Sequence, residues 1–258
     1  MGDNVLYALD GHVATITYNR PESLNAVNGA LRDDLNDAFL RFRDDDEAWV
    51  AIITGAGRAF CAGGDIKDGA GSVGTFTGSF WEKPTINSFE SGLELFKPTI
   101  AAVNGICLGY GFTLVTWCDF VIASERATFG FPEAMLGTPA IVGAIRLPQR
   151  INWHDAMELL MTAEPIDATR AKEIGVVGKV VPHDSLMDEA QALAARLCKA
   201  APLAQRAMKE VATRTRIMPS LEAIRFGETM RKVAAATEDA AEGGAARREG
   251  RAPQWKAR

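Results

Sequence analysis

Three features of the 258-residue chain predict an α/β fold. Short apolar runs of strand type recur through roughly the first 180 residues, and helical patterns lie between them. That alternation is the mark of strands covered by helices. A hairpin pattern opens the chain. From about Ser185 onward the pattern is helical alone.

The elements follow in order. "NVLYALDGHVATITYN" alternates apolar and polar residues around Asp10-Gly11, which predicts a hairpin whose central turn residues both accept positive φ. "RPESLNAVNGALRDDLNDAFLRFRDD" reads as a loop and then an amphipathic helix, with Leu31, Leu35, Phe39 and Phe42 on one face. "WVAIIT" is continuously apolar, as a strand buried on both faces must be. "KPTIAAVN", "CDFVIAS" and "VGKVV" repeat the type near residues 100, 120 and 179. The helical end reads "LMDEAQALAARLCKA", "PLAQRAMKEVATRT", "PSLEAIRFGETMRKVAAA" and "TEDAAEGGAARREG", a layer suited to docking between subunits. Residues 68–84, "DGAGSVGTFTGSFWEKP", read as a long loop, either a lid or a tolerated surface insertion.

Composition narrows the function classes. Apolar residues make up 47% and charged residues 24%, ordinary for a globular chain. A net charge of −5 argues against a nucleic-acid surface. No run approaches the roughly 18 apolar residues of a membrane span. The start, "MGDNVLYALDGHV", lacks the basic and apolar regions of a secretory signal. Cys61, Cys107, Cys118 and Cys198 have no metal-type spacing and are read as reduced core residues of a cytoplasmic protein. His12, His154 and His183 are scattered, so no metal site is expected.

Three places carry candidate chemistry. In "IITGAGRAFCAGGDIK", Gly55-Ala56-Gly57 lacks the third glycine of a dinucleotide-binding turn. Gly63-Gly64 can point consecutive N–H groups into a cleft, or simply permit a turn. In "GICLGYGFTLVTWCD", Gly109 and Gly111 sit at the start of a helix, although Gly there costs about 1 kcal/mol relative to Ala. Either close packing needs them, or the exposed N–H groups of the helix end meet a ligand. In "FGFPEAMLG", Glu133 lies among Phe129, Phe131, Met135 and Leu136. It is an ordinary first-turn acid, or a carboxyl whose apolar surroundings raise its pKa until it can take and return a proton. Two N–H donors and one such carboxyl are the minimum for proton transfer beside a thioester carbonyl, the donors holding the enolate oxygen.

These stretches occur in an order that resembles one family. "NRPESLNAV", "ITGAGRAFCAGGDIK", "KPTIAAVNGICLGYG", "CDFVIAS", "FGFPEAMLG" and the tail "TEDAAEGGAARREGRAPQWKAR" together look like an enoyl-CoA hydratase/isomerase, or crotonase, over nearly the full length. The tail and "MPSLEA" look most like the carnitinyl-CoA dehydratase branch. The resemblance implies a spiral of ββα turns over residues 1–200 and a helical trimerisation region over 201–258, with homotrimers or dimers of trimers. It implies an acyl-CoA thioester as substrate, with coenzyme A part of that substrate and no separate cofactor. By position, the oxyanion donors are the N–H groups of Gly64 and Tyr110, the CoA lies along Ser23, Leu24, Ala62, Asp65 and Ile66, and Glu133 carries protons at the α-carbon.

Departures from the family pattern keep the reaction open. Hydratases of the family have a second glutamate where this chain has Thr113, whose hydroxyl can bind water but is no base near pH 7. "PAIVG", Pro139 to Gly143, stands where the family has "PGAGG", and Tyr110 replaces a glycine. Hydration with Glu133 as sole acid/base, double-bond isomerisation by the same residue, and slow-turnover acyl-CoA binding are the three readings. The acyl group is unspecified, although Phe80 and Trp81 are candidates to close over it.

Overall fold

A computed structural model describes residues 2–68, 88, 89 and 92–258. The expectations for the 68–84 loop beyond Asp68, and for Phe80 and Trp81, lie outside the described residues.

β1 (Val5–Asp10) and β2 (Val13–Tyr18) form the opening hairpin. Asp10 pairs with Val13, so the two turn residues are Gly11 and His12 rather than Asp10 and Gly11. Of these only Gly11 has positive φ, at 54°. A Gly in the first central position satisfies a two-residue turn by itself, which shifts the turn one residue from its expected place.

α1 (Gly29–Asp44) starts where the Asn28 side chain accepts the Leu31 N–H, and it buries Leu31, Leu35, Phe39 and Phe42 as its spacing predicts. Then strands come in pairs. β3 (Val50–Gly55) is followed by β4 (Ala59–Cys61), and β5 (Thr99–Val103) by β6 (Ile106–Leu108). α2 (Tyr110–Trp117) follows, then β7 (Phe120–Ser124) and β8 (Thr128–Gly130). The first member of each pair enters a six-stranded sheet of order β1-β2-β3-β5-β7-β10, parallel from β2 onward. The second enters a four-stranded sheet of order β4-β6-β8-β9. Each turn of chain thus adds one strand to each sheet, the ββα spiral that the resemblance implies.

α3 (Ile141–Arg146), α4 (Trp153–Thr162), β9 (Ile166–Asp167), α5 (Ala168–Glu173) and β10 (Lys179–Val181) complete this part. Four helices end the chain: α6 (Leu186–Leu197), α7 (Pro202–Arg214), α8 (Ser220–Ala235) and α9 (Glu238–Glu249). The main core lies between the two sheets and α1, with a second cluster where α6 covers the outer face of the larger sheet. Cys61, Cys107 and Cys118 are free and buried, and Cys198 is partly so. No described helix is long and apolar enough to cross a membrane.

Candidate active site

The site begins with a buried asparagine. Asn25 has positive φ, 57°, and no exposed surface. Its carbonyl accepts the Arg20 N–H at 2.9 Å, and its amide donates to Ala56 O at 2.9 Å and Ala59 O at 2.8 Å. One side chain therefore ties the 20–27 loop to β4. Arg20 adds a bond to Ala26 O and an ion pair with Asp65 at 3.1 Å. Neither role was legible beforehand. Both residues lie within the quoted "NRPESLNAV", but nothing in one sequence shows what they hold.

These ties bring the expected CoA-groove residues together. Ala62 N–H donates to Leu24 O at 3.0 Å, and Asp65 N–H to Val27 O at 2.9 Å. Val27 and Gly64 form an isolated bridge. Ser23 ends a 3-10 turn over Pro21–Ser23, and Leu24 follows with φ 53°. Ile66 is 77% exposed, an apolar side chain standing open at the end of this strip.

The two glycines of α2 answer separate needs. Gly109 has φ 53°, and a Cβ there would lie 2.8 Å from Glu133 Oε1. Only a glycine lets the backbone turn and the carboxyl share that space. Gly111 meets the packing alternative, because its Cβ would fall 2.6 Å from Cys61 Cβ. It seats α2 directly on β4. A Cβ on Gly63, which has φ 100°, would meet Leu108 O at 3.4 Å and Gly109 Cα at 3.9 Å. Gly63-Gly64, Gly109-Tyr110 and Glu133 thus converge. Tyr110 is the first residue of α2, so its N–H projects from the helix end rather than along the hydrogen-bond ladder.

Glu133 stands in the first turn of a 3-10 helix over Pro132–Leu136, with Pro132 at its start. The side chain is half-buried, and Oε2 has no hydrogen-bond partner among the described residues. Burial pushes the carboxyl above the usual range, opposed only by its own N–H. Phe112 stacks on Phe131 at 4.6 Å and tilts against Phe129 at 5.5 Å, an apolar floor that ties α2 to the Glu133 segment. Gly143 lets α3 close on Phe131, since a Cβ there would lie 2.5 Å from the ring. Met135, 79% exposed, Leu136 and Ile141 are open apolar residues on the stretch of chain that follows Glu133.

Thr113 N–H closes the first turn of α2 on Gly109 O at 2.8 Å, and the residue is 7% exposed. No group of three or more His, Cys, Asp or Glu able to hold a metal occurs among the described residues. The arrangement can hold a developing oxyanion with backbone donors beside one carboxyl of raised proton affinity.

Comparison with known proteins gives consistent findings. A family model described as enoyl-CoA hydratase/isomerase matches residues 9–258. A Mycobacterium tuberculosis protein named probable enoyl-CoA hydratase echA8 is 38% identical, covering 98% of each chain. The carnitinyl-CoA dehydratase of Citrobacter koseri is 37% identical, covering 100% of each. The crystal structure of an enoyl-CoA hydratase from Mycobacterium tuberculosis H37Rv superposes with a TM-score of 0.90 at 34% identity, covering 100% of each chain.

Proposed function

The chain belongs to the enoyl-CoA hydratase/isomerase family, and on that premise we propose that it adds or removes water across the 2,3 double bond of an acyl-CoA thioester. The observation that carries this reading is the meeting of the Gly63-Gly64 turn, the N-terminal end of α2 and the half-buried Glu133. In the hydration direction the Glu133 carboxylate accepts a proton from water as the water oxygen bonds to C3. The π electrons move toward the thioester, whose oxygen is held by the N–H groups of Gly64 and Tyr110. Glu133 then returns its proton to C2, so one O–H bond is broken and one C–O and one C–H bond are made. Ser23, Leu24, Ala62, Asp65 and Ile66 bind the CoA. Coenzyme A arrives as part of the substrate, and the chemistry needs no further cofactor. The relatives named as hydratases and as a dehydratase support this direction.

Isomerisation is the second reading, and Thr113 favours it. A base that moves a proton between two carbons needs no second acid to hold water, and Thr113 supplies none. We propose assembly as homotrimers or pairs of trimers through the last helices. Ile217 is 93% exposed, and Leu221 and Ile224 of α8 are exposed beside it, an apolar face of the kind subunit contacts cover. The buried thiols fit a reducing compartment, in keeping with a cytoplasmic enzyme.

The test is a mass-spectrometric assay with crotonyl-CoA and trans-3-hexenoyl-CoA in heavy-oxygen water. Heavy oxygen in a 3-hydroxyacyl product is the expected result. Conversion of the 3-enoyl to the 2-enoyl isomer without oxygen uptake would establish the isomerase instead. Bound thioester with neither product would leave an acyl-CoA-binding protein.

A further inference from the structure

A large cavity lies away from Glu133. It has a volume of about 930 Å³ and lies at the other end of α2, where Trp117 and Cys118 line it together with α7 and the 92–98 segment. Eight residues of helix separate the two ends, about 12 Å. That volume is in the range of small-molecule sites.

The walls are apolar and the charge is one-sided. Phe89, Leu93, Leu95, Phe96, Trp117 and Met208 supply the apolar surface. Two acids line the cavity, and both are satisfied. Asp119 accepts from Thr99 N–H, Thr99 Oγ1 and Lys209 Nζ at 2.7–2.9 Å. Glu94 pairs with Arg214 at 2.7 Å. Arg146, Arg150 and Arg216 also line it, and none has a carboxylate partner among the described residues.

Arg150 is committed to the helix end, donating to Thr116 O and Cys118 O. Arg146 is less well provided for. Its guanidinium lies 4.0 Å over the Trp117 ring and makes two long bonds of 3.3 Å, to Gln149 Oε1 and Thr116 O. Its Nε is buried without a hydrogen-bond partner among the described residues. Burial and the charges of Arg216 and Arg150, opposed in part by Asp119, push its pKa down to about 10. A half-buried cation, facing like charge with an unused donor, is stabilised by an anion at that spot.

We propose that this cavity is a second ligand site, separate from the Glu133 centre, for a small anionic amphiphile. A single carboxylate sits against Arg146 and Arg216, and an unbranched apolar chain lies along Leu95, Phe96 and Met208. The site does not depend on which reaction Glu133 performs.

Calorimetric titration of the full chain with decanoate, with decanol as the uncharged match, tests the site. Both titrations are run with saturating acetyl-CoA so that the thioester groove is occupied. Saturable binding of one decanoate per chain, at least tenfold tighter than decanol, is expected. Arg146→Gln and Met208→Glu should each weaken it at least tenfold. Met208 is 64% exposed, so its substitution keeps the test available if loss of Arg146 impairs folding. Equal affinity for decanol, absence of decanoate binding, displacement by acetyl-CoA, or unchanged affinity in Met208→Glu would each overturn the proposal.

Discussion

At its N-terminal end α2 meets Gly63, Gly109 and the Glu133 carboxyl, with its first N–H groups directed away from the helix. At its C-terminal end the carbonyls of Thr116 and Cys118 are taken by Arg150, and Arg146 covers Trp117. An α-helix carries about half a positive charge at its start and half a negative charge at its finish. The protein neutralises the second with its own cations and leaves the first available to a ligand. Substitutions at the two ends should therefore fail in different ways, chemistry at one and stability at the other.

The largest effect expected is that of Glu133→Gln. Exchange of the α-proton of a bound thioester, followed by deuterium uptake, should fall by a factor on the order of 10²–10⁴, with CoA-ester affinity retained. Gly109→Ala comes next. It forces a Cβ into left-handed backbone and against Glu133 Oε1. Losing one oxyanion donor's alignment costs about 3 kcal/mol, so kcat should drop on the order of a hundredfold. A Gly109→Ala enzyme with wild-type kcat would break the distinction between the two ends of α2. At the opposite end, Arg150→Ala leaves the Cys118 carbonyl without its charged donor and the Thr116 carbonyl with only the long bond from Arg146. A stability loss of about 2 kcal/mol is expected in denaturant titrations, with α-proton exchange per folded molecule far less affected.

The smallest effect runs the other way. Burial raises the Glu133 pKa in the folded chain, so between the unfolded and folded pKa values the native state holds more protons than the unfolded one. Stability contributed at this position therefore falls as pH rises through that window, and the penalty is full above the folded pKa. Glu133→Gln should raise stability at pH 7, and the gain should shrink toward acid pH, where both states become protonated. Parallel melting curves of the two proteins at pH 4 and pH 7 measure it.

Sequence pattern revealed the elements that a single periodicity encodes. β3 is apolar from Val50 to Ile53 and buried throughout its length up to Gly55, and α1 shows its buried face in Leu31, Leu35, Phe39 and Phe42. Glu133 was legible because a charge among aromatics has few uses. The four-stranded sheet was not. β4, β6 and β8 are three residues each, too short to display any period. The split between the α2 glycines was also hidden. That Gly111 serves packing and Gly109 serves the carboxyl depends on Cys61 and Glu133, 50 residues before the one and 24 after the other. Asn25 and Arg20 act on partners equally remote in sequence. The large cavity joins α2 to α7, and only the folded chain places them side by side.

The Asn25 clamp also has a kinetic meaning. It joins residues 31 and 34 positions apart, and the donors it steadies complete a site only when residue 133 has arrived. Contacts of such separation form late, after local helices have appeared. During refolding, helical signal should therefore return before any capacity to exchange an α-proton, because that capacity waits on the Asn25 closure onto β4 and on the arrival of Glu133.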